Sequence, residues 1–233
     1  MNYSKNNKKQ NDNYINNLTE ILFWNVDTQY DFMRSDESFT GALSVKGARV
    51  IENNLEKLTN LAENKNIKVV NTADWHTIDD VEISETPDYK NTYPKHCMAH
   101  TKGAEYVPAT NPKNAYKIDW QDEKLDISKV ANTRNVVLYK NHFNSFDGNA
   151  HTEKVLDIIN PQKVFVYGVA TNVCVNFAVE ELLKRNKNVY VVTDAIKELP
   201  NEIAATPLES VLANWENKGA KFITTLELQK YLR

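Results

Sequence analysis

Short apolar runs alternate with longer stretches of helical spacing along most of the chain. Each apolar run is bounded by polar or turn-forming residues, which predicts strands at 20–27, 67–74, 135–140, 163–168, 188–194 and 221–224. Apolar side chains recur every three or four residues in other segments, which predicts helices at 44–64, 171–185, 201–218 and 226–232. This alternation is typical of strand-helix-strand units. We therefore expect an α/β fold, a three-layer sandwich whose six-stranded, mostly parallel sheet carries helices on both faces.

Two segments depart from this pattern. Residues 1–17 contain seven Asn and three Lys but little apolar side chain, so we expect a disordered polar tail ahead of a single domain at 18–233. Residues 75–134 separate the second and third predicted strands and lack sustained periodicity. Loops of this length in compact domains are usually functional, and this one is rich in residues that carry chemistry.

Composition narrows the classes of function. The 233 residues have a formal net charge of -3, so the chain lacks the basic excess on which nucleic-acid binding depends. No apolar run approaches the roughly 18 residues of a membrane helix. The two cysteines cannot form a disulfide framework, which favours the cytoplasm. We expect a small-molecule partner, without nucleic acid or membrane.

Three side chains of complementary chemistry stand at predicted strand ends, where open parallel sheets bind their ligands. Asp27 ends the first strand, Lys140 ends the third, and Cys174 follows the fourth at the start of a helix. With Thr171 or Asn172 as cap, the helix N-terminus and the Lys140 ammonium would lower the pKa of the Cys174 thiol. Taken singly, Cys174 could be a small core residue and Asp27 a turn cap. Their convergence with Lys140 favours a nucleophilic site.

A second group of candidate residues follows the second predicted strand. Asp74 and His76 are two residues apart, so an extended segment points both to the same side. Glu82 and His96 follow in the long loop, and Cys97 is expected to pack beneath them. Mixed oxygen and nitrogen donors suit zinc, iron or manganese better than copper. The alternative is a hydrogen-bonded loop without an ion.

Several aromatic side chains lie close to these candidates in the sequence. They are Phe32, Trp75, Tyr93, Phe143 and Phe146. Packing in the core is the default for such residues. If two of them face the cleft they would sandwich a flat ring, so we expect them to bind a planar substrate.

Six ordered segments of the chain resemble the signature segments of the isochorismatase-like cysteine hydrolases. They are VDTQYDF (26–32), TADWH (72–76), YPKHC (93–97), GAEY (103–106), YKNHF (139–143) and YGVATNVCV (167–175). The resemblance runs from about residue 20 to the C-terminus. Its nearest branch is nicotinamidase, also called pyrazinamidase, because metal-free relatives lack the D-x-H and P-x-H-C segments.

The resemblance implies a catalytic triad and an oxyanion hole. The triad would be Asp27, Lys140 and Cys174, and the backbone N–H groups of Ala170 and Cys174 would hold the oxyanion. It also implies a cis peptide bond between Val169 and Ala170.

The resemblance further implies a metal centre and an activity. One divalent ion, zinc before iron or manganese, would be bound by Asp74, His76 and His96, with Glu82 where some members carry a further His. The activity would be conversion of nicotinamide, a carboxamide, to nicotinate and ammonia through a thioester. A homo-oligomer is expected.

The chain departs from the family pattern at two places. Asn172 stands where Asp is frequent, which removes one charge near the nucleophile. Residues 111–128 look like an insertion, and the alternation of Tyr116, Ile118 and Trp120 suggests an added hairpin, an interface element or a surface loop.

Three other functions stay open at this stage. One is a related hydrolase of another carboxamide, an N-carbamoyl compound or a ureido substrate. A second is a catalytically silent binding protein on the same fold. A third, an enol-ether hydrolase of the isochorismatase type, is disfavoured by the cysteine at position 174.

Overall fold

A seven-stranded sheet forms the centre of the molecule. The structure, a computed structural model, describes residues 18–200 and 206–233. Every neighbouring pair of strands in the sheet is parallel, in the order β5-β6-β4-β1-β7-β8-β9, and β2 and β3 form a separate antiparallel pair. The strands are β1 (Ile21–Val26), β2 (Ser35–Asp36), β3 (Phe39–Thr40), β4 (Lys68–Asp74), β5 (Tyr116–Ile118), β6 (Asn135–Lys140), β7 (Lys163–Val169), β8 (Asn188–Lys197) and β9 (Lys221–Ile223).

Helices cover both faces of the sheet, which confirms the predicted three-layer α/β fold. The helices are α1 (Tyr30–Met33), α2 (Glu52–Asn64), α3 (Ile127–Asn132), α4 (Ser145–Gly148), α5 (Thr152–Ile159), α6 (Cys174–Lys184), α7 (Leu208–Asn217) and α8 (Thr225–Tyr231). Apolar residues of α3, α5, α6 and α7 pack on one face around Trp24 and Trp215. Those of α2 and α8 pack on the other, around Phe23 and Phe165. Because both faces are covered, the central strands are almost wholly apolar.

The sheet has seven strands where six were predicted, and the additional strand lies in the segment that looked like an insertion. Tyr116–Ile118 forms β5 and pairs in parallel with residues 136–138 of β6 at the edge of the sheet. The suggested hairpin is therefore wrong, because the alternating residues extend an existing sheet. The indole N–H of Trp120 donates to the carbonyl oxygen of Trp75 over 2.9 Å, which fixes the segment against the chain that follows β4.

Some predicted boundaries shift. The helix expected from residue 44 begins as a 3-10 turn at Ala48–Ile51, and α2 continues from it. The predicted tail at 1–17 and the first residues of the helix expected at 201 lie outside the described residues. The longest helix in the described ranges, α2, has 13 residues, and none of those helices has the length and apolar character to cross a membrane.

Four adjacent strands in the middle of the sheet carry the predicted chemistry. Strands β6, β4, β1 and β7 run in parallel, so their carboxyl ends meet at one edge. Asp74 pairs with Lys140 in register, and Val26, which precedes Asp27, pairs with both Thr72 and Gly168. The register therefore places the candidate residues of three strand ends next to one another.

Gly168 makes the closest backbone approach at this edge. Its φ is 123°, in the region that favours glycine, and a Cβ at this position would lie 2.1 Å from the carbonyl oxygen of Val26. The register between β7 and β8 shifts between Val166 and Gly168. No side chain fits between β7 and β1 at this point.

Gly168→Ala is expected to destabilise the fold by about 3 kcal/mol or more, because it combines backbone strain with a clash against backbone atoms. Urea unfolding measures this as a lower midpoint. Gly219→Ala is the matched control, since Gly219 also has a positive φ, 90°, but its Cβ would meet no atom within 4 Å. An equal loss in both variants would show that φ alone, without the clash, governs position 168.

Candidate active site

The three residues predicted as a catalytic triad meet at the carboxyl edge of the sheet. Lys140 Nζ lies 3.0 Å from Asp27 Oδ2 and 3.8 Å from Cys174 Sγ. All three side chains are buried. Asp27 follows β1, Lys140 ends β6, and Cys174 is the first residue of α6. The structure thus brings together a thiol, an ammonium and a carboxylate that lie far apart in the sequence.

The start of α6 differs from the expected capping. The residue before the helix is Val173, and no side chain caps it. The Asn172 amide instead donates to the Leu199 carbonyl over 3.0 Å and accepts from the Leu199 N–H over 2.9 Å. Asn172 therefore ties the loop that carries the nucleophile to the chain after β8. An Asp at this position could not make the donation to the Leu199 carbonyl.

Burial and the charges of neighbouring groups together set the pKa values of the three triad residues. It raises the pKa of the Cys174 thiol well above its usual value, although the Lys140 ammonium opposes the shift. The expectation of a lowered thiol pKa is therefore wrong for the free site. Burial also raises the pKa of Asp27, against the opposing effect of Lys140. For Lys140 itself, the carboxylates of Asp27 and Asp74 outweigh burial and raise its pKa well above the usual range. A protonated thiol thus faces a carboxyl group that can accept its proton.

Two backbone N–H groups are available beside the thiol. The peptide bond between Val169 and Ala170 is cis, as the resemblance implied. Within residues 18–200 and 206–233, neither the Ala170 N–H nor the Cys174 N–H donates to another protein group. The Ala170 carbonyl accepts from the N–H groups of Val173 and Val175, which shapes the turn between them. Free N–H groups at the first turn of a helix favour an anion.

Next to the triad lies a group of three potential metal ligands. One ligand atom from each of Asp74, His76 and His96 lies within 4.8 Å of the others, and all three residues are buried. Asp74 Oδ2 is 3.7 Å from His76 Nε2 and 3.6 Å from His96 Nε2. The other oxygen, Oδ1, accepts from Lys140 Nζ. Asp74 thus joins the triad to the histidines.

The hydrogen bonding of this group fits a cation. His96 Nδ1 lies 2.8 Å from the Pro94 carbonyl, which can only accept, so Nδ1 carries the proton and Nε2 presents a lone pair to Asp74. Both ring nitrogens of His76 are buried and form no hydrogen bond within the described residues, although Asp80 Oδ2 lies 3.4 Å from Nδ1. Burial alone would raise the pKa of Asp74, but the Lys140 ammonium outweighs this effect and the pKa lies well below the usual range. A carboxylate oxygen and two imidazole nitrogens within 4.8 Å of one another suit zinc, iron or manganese.

Glu82 does not join this group. Its Oε1 accepts the backbone N–H of Phe143 over 2.8 Å, and burial raises the pKa of its carboxyl to about 8, helped by the nearby charge of Asp74. The other oxygen, Oε2, is buried and has no hydrogen-bond partner within the described residues. The structure therefore places Glu82 under the loop that carries Phe143, and the expected fourth metal ligand is not among the three residues that meet.

A cavity of about 350 Å³ opens above both groups. Its lining includes Cys174 and Ala170 on one side and Asp74 and His96 on another. Three of the five predicted aromatic residues complete it. They are Phe32, Tyr93 and Phe143. The cavity wall is mostly apolar, as expected for a flat ring with few polar groups.

The other two aromatic residues point elsewhere. Trp75 stacks on Tyr139, with ring centroids 4.2 Å apart, and Phe146 stacks on Trp24 at 5.9 Å. The Arg185 guanidinium covers the Phe146 ring at 3.9 Å. Neither Trp75 nor Phe146 lines the cavity, so the structure corrects their expected contact with substrate.

Thr72 is a buried residue of the site that the sequence analysis did not assign a role. Its hydroxyl donates to Asp27 Oδ1 over 2.6 Å, and its carbonyl accepts from the Tyr106 hydroxyl over 2.9 Å. Thr72 and Asp74 are two residues apart on β4, so the spacing that placed Asp74 at the site also applied to Thr72.

Thr72→Val keeps the shape of the side chain and removes the donor to Asp27. A hydrogen bond to a charged group contributes about 1.5 to 3 kcal/mol, so we expect kcat/KM to fall by roughly tenfold or more. Steady-state hydrolysis measures the change. Thr59→Val is a control, because the Thr59 hydroxyl donates only to the carbonyls of Leu55 and Ala109, away from Asp27. An equal loss in both variants would argue against a specific effect on Asp27.

The sequence is similar to a known protein family and to a characterised relative. The sequence model of the Isochorismatase domain matches residues 22–227. The chain is 25% identical over 194 residues to the nicotinamidase/pyrazinamidase of Mycobacterium tuberculosis, covering 80% of this chain and 91% of that protein.

The chain is also similar to solved structures over most of its length. The pyrazinamidase of Pyrococcus horikoshii in complex with zinc aligns with a TM-score of 0.66 and 25% identity, covering 88% of this chain and 99% of that one. The N-carbamoylsarcosine amidase of Thermoplasma acidophilum aligns with a TM-score of 0.65 and 20% identity, covering 88% and 96%. The likeness to the second structure shows the fold alone. Since the domain match spans most of the sequence, the chain belongs to the isochorismatase family of hydrolases.

Proposed function

We propose that the protein is a metal-containing cysteine amidohydrolase that converts nicotinamide to nicotinate and ammonia. The observation that carries the proposal is that one cavity is lined by the Cys174 thiol and by Asp74 and His96 of the candidate metal centre. A flat ring with a carboxamide on one side and a basic nitrogen on the other matches this arrangement. The similarity to a nicotinamidase/pyrazinamidase and to a zinc-bound pyrazinamidase supports it.

The first half of the reaction forms a thioester. Asp27 takes the thiol proton as Cys174 Sγ attacks the carboxamide carbon. The developing oxyanion is held by the N–H groups of Ala170 and Cys174, and each such donor is worth roughly 3 to 4 kcal/mol in other acyl-transfer enzymes. Asp27 then gives its proton to the departing nitrogen. Ammonia leaves and the acyl group stays on Cys174.

The second half releases the acid. Asp27, again ionised, takes a proton from water as that water attacks the thioester carbonyl, and the same N–H groups hold the oxyanion. The C–S bond breaks, the thiolate recovers the proton, and nicotinate leaves. Lys140, 3.0 Å from Asp27 and 3.8 Å from Cys174, stabilises whichever of the two carries negative charge.

Asp74, His76 and His96 would hold a divalent ion, zinc before iron or manganese. When bound, this ion supplies a Lewis-acid site for the ring nitrogen of the substrate and so fixes the ring relative to Cys174. Glu82 is omitted from this set because it does not belong to the group of ligand atoms that lie within 4.8 Å of one another. We infer a role in the salvage of pyridine nucleotides in the cytoplasm, where the two free cysteines would stay reduced.

Ammonia release from nicotinamide, with and without a chelator, tests the proposal. We expect turnover with nicotinamide that a chelator lowers and added zinc restores. An N-carbamoyl amino acid offered at the same concentration separates the related amidase activity, for which we expect little release. Faster release from the N-carbamoyl compound, unaffected by chelator, would overturn the assignment of nicotinamide as substrate.

A further inference from the structure

Gln29 holds the backbone of Asp74 although it lies outside the cavity lining. β1 ends at Val26, opposite Thr72, so Asp74 has no strand neighbour on that side. The fully buried Gln29 amide fills this place. Its Nε2 donates to the Asp74 carbonyl over 2.7 Å, and its Oε1 accepts the Asp74 N–H over 2.8 Å. A further donation to the Ala104 carbonyl, 2.9 Å, gives the amide three of its four possible hydrogen bonds.

Asp31 holds the turn that carries His96. Its Oδ2 accepts the backbone N–H of Cys97 over 2.6 Å, and its Oδ1 accepts the N–H of Ala42 over 3.0 Å. Cys97 has a φ of 42°, a left-handed conformation that costs a non-glycine residue about 1 kcal/mol or more. A charge-assisted hydrogen bond at this residue stabilises the turn and with it the direction of His96.

The space around Asp31 is fitted to the carboxylate. A Cβ on Gly103 would lie 2.1 Å from Asp31 Oδ2, so only glycine leaves room for the contact with Cys97. No salt bridge to Asp31 occurs within the described ranges, and its two oxygens face backbone N–H groups. A buried carboxylate is costly unless its hydrogen bonds are made, so the site depends on both donors.

We propose that Gln29 and Asp31 are positioning residues of the metal centre, Gln29 through the Asp74 backbone and Asp31 through the turn at Cys97. The inference rests on the proposed function, in which Asp74, His76 and His96 bind the ion. Both positioning residues belong to the same short segment that supplies Asp27. One stretch of chain therefore provides the base of the triad and anchors two of the three metal ligands.

Changes at Gln29 and at Asp31 are expected to affect different parts of the site. Asp74 contacts Lys140 as well as the histidines, so a shift of its backbone affects both the metal centre and the triad. The turn at Cys97 contacts the triad through no hydrogen bond in the described residues, so a change at Asp31 affects the metal centre and, through Ala42, the cavity wall, but not the triad. This difference separates a positioning role from a general loss of stability.

Zinc affinity of the purified chain, measured by competition with a fluorescent chelator, tests the proposal. Gln29→Met keeps the side-chain size and removes all three hydrogen bonds of the amide. Asp31→Asn also keeps the size but replaces one of the two accepting oxygens with an NH₂ group, which cannot accept. Loss of a group that orients a metal ligand typically costs 10- to 100-fold in affinity, so we expect the zinc Kd to rise by about that factor in each. In Asp31→Asn, KM for nicotinamide should also rise, while the alkylation rate of Cys174 stays within about twofold, because Asp31 makes no hydrogen bond to the triad in the described residues.

Asn135→Leu is the matched control. Asn135 is buried at the opposite end of β6 and donates to the Lys113 carbonyl over 2.8 Å, so its loss removes a buried hydrogen bond away from the site. Its zinc Kd should stay near that of the wild type. Thermal unfolding verifies that each variant is folded, and Gly103→Ala displaces the Asp31 carboxylate by an independent route if Asp31→Asn does not fold.

Three results would contradict the inference. A wild type that binds neither zinc, iron nor manganese would remove the metal centre of the proposed function and the positioning roles with it. A wild type that binds zinc, with Gln29→Met and Asp31→Asn binding equally well, would remove the positioning roles alone. An equal loss in Asn135→Leu would assign the effect to overall stability.

Discussion

Cys174→Ala is expected to abolish ammonia release from nicotinamide. The Cys174 thiol lines the cavity and lies 3.8 Å from the Lys140 ammonium, which itself contacts Asp27. Without it no thioester can form, and we expect kcat to fall by at least about 10⁴-fold, as when a nucleophile is removed from other acyl-transfer enzymes. Discontinuous assay of nicotinate by chromatography measures the residual rate. Rapid acid quenching followed by mass spectrometry should show the acyl adduct on the wild type and none on the variant.

Cys97→Ala is the matched control, since these two residues are the only cysteines of the chain. Cys97 is fully buried, does not line the cavity, and contributes its backbone N–H, which the substitution keeps. Iodoacetamide should label wild type and Cys97→Ala at one site, Cys174, which lines the cavity, and should leave Cys174→Ala unlabelled over the same time. Hydrolysis by Cys174→Ala above about 1% of the wild-type rate would contradict the thioester mechanism.

His96→Ala is expected to strip the metal and to raise KM for nicotinamide by more than about 100-fold. Mutation of a group that only orients a metal ligand typically lowers metal affinity by about 10- to 100-fold, and loss of the ligand itself should lower it further. His96 contributes one of three ligand atoms and lines the cavity. Elemental analysis should find about one zinc per wild-type chain and none in the variant. Alkylation of Cys174 should change little, because His96 makes no contact with the thiol in the described residues.

Benzamide separates a positioning role of the metal from a structural one. It keeps the carboxamide and lacks the ring nitrogen, so it should be a poor substrate for the wild type and should lose little further in His96→Ala. His142→Ala is a matched histidine control, because the His142 ring forms a hydrogen bond with the Asn141 side chain and does not line the cavity. If nicotinamide and benzamide lost activity equally, the ion would be structural or would act on the reaction in another way.

The alternation of apolar runs with helical spacing was sufficient to predict the layers of the fold, and strand ends were sufficient to place the polar residues. Asp27, Lys140 and Cys174 could be predicted to meet because parallel strands bring their carboxyl ends to one edge. The segment at 116–118 was harder, because three alternating residues cannot show whether a strand pairs with its own turn or with an existing sheet. In the structure, the segment pairs in parallel with β6 and becomes the edge strand of the sheet.

Other features depend on packing that no local pattern contains. Phe146 lies in the same stretch of chain as Phe143, yet one stacks on Trp24 and the other lines the cavity. Glu82 has the right chemistry for a metal ligand, but one of its oxygens accepts from the Phe143 N–H and the residue does not join the ligand atoms of the other three. The pKa of Cys174 depends on the balance of burial against Lys140, two opposing effects whose relative size appears only once the site is built.

The shared carboxylate of Asp74 constrains how such a site can diverge. One oxygen contacts Lys140, and the other lies between two imidazoles. A lineage that abandoned the metal would lose selection on His76 and His96 but would still need a negative charge beside the buried ammonium, so the aspartate should outlast both histidines. The evolutionary trace of metal loss would then be an aspartate retained at the end of this strand, with the imidazole positions free to take up apolar or hydroxyl side chains that fit a new ring.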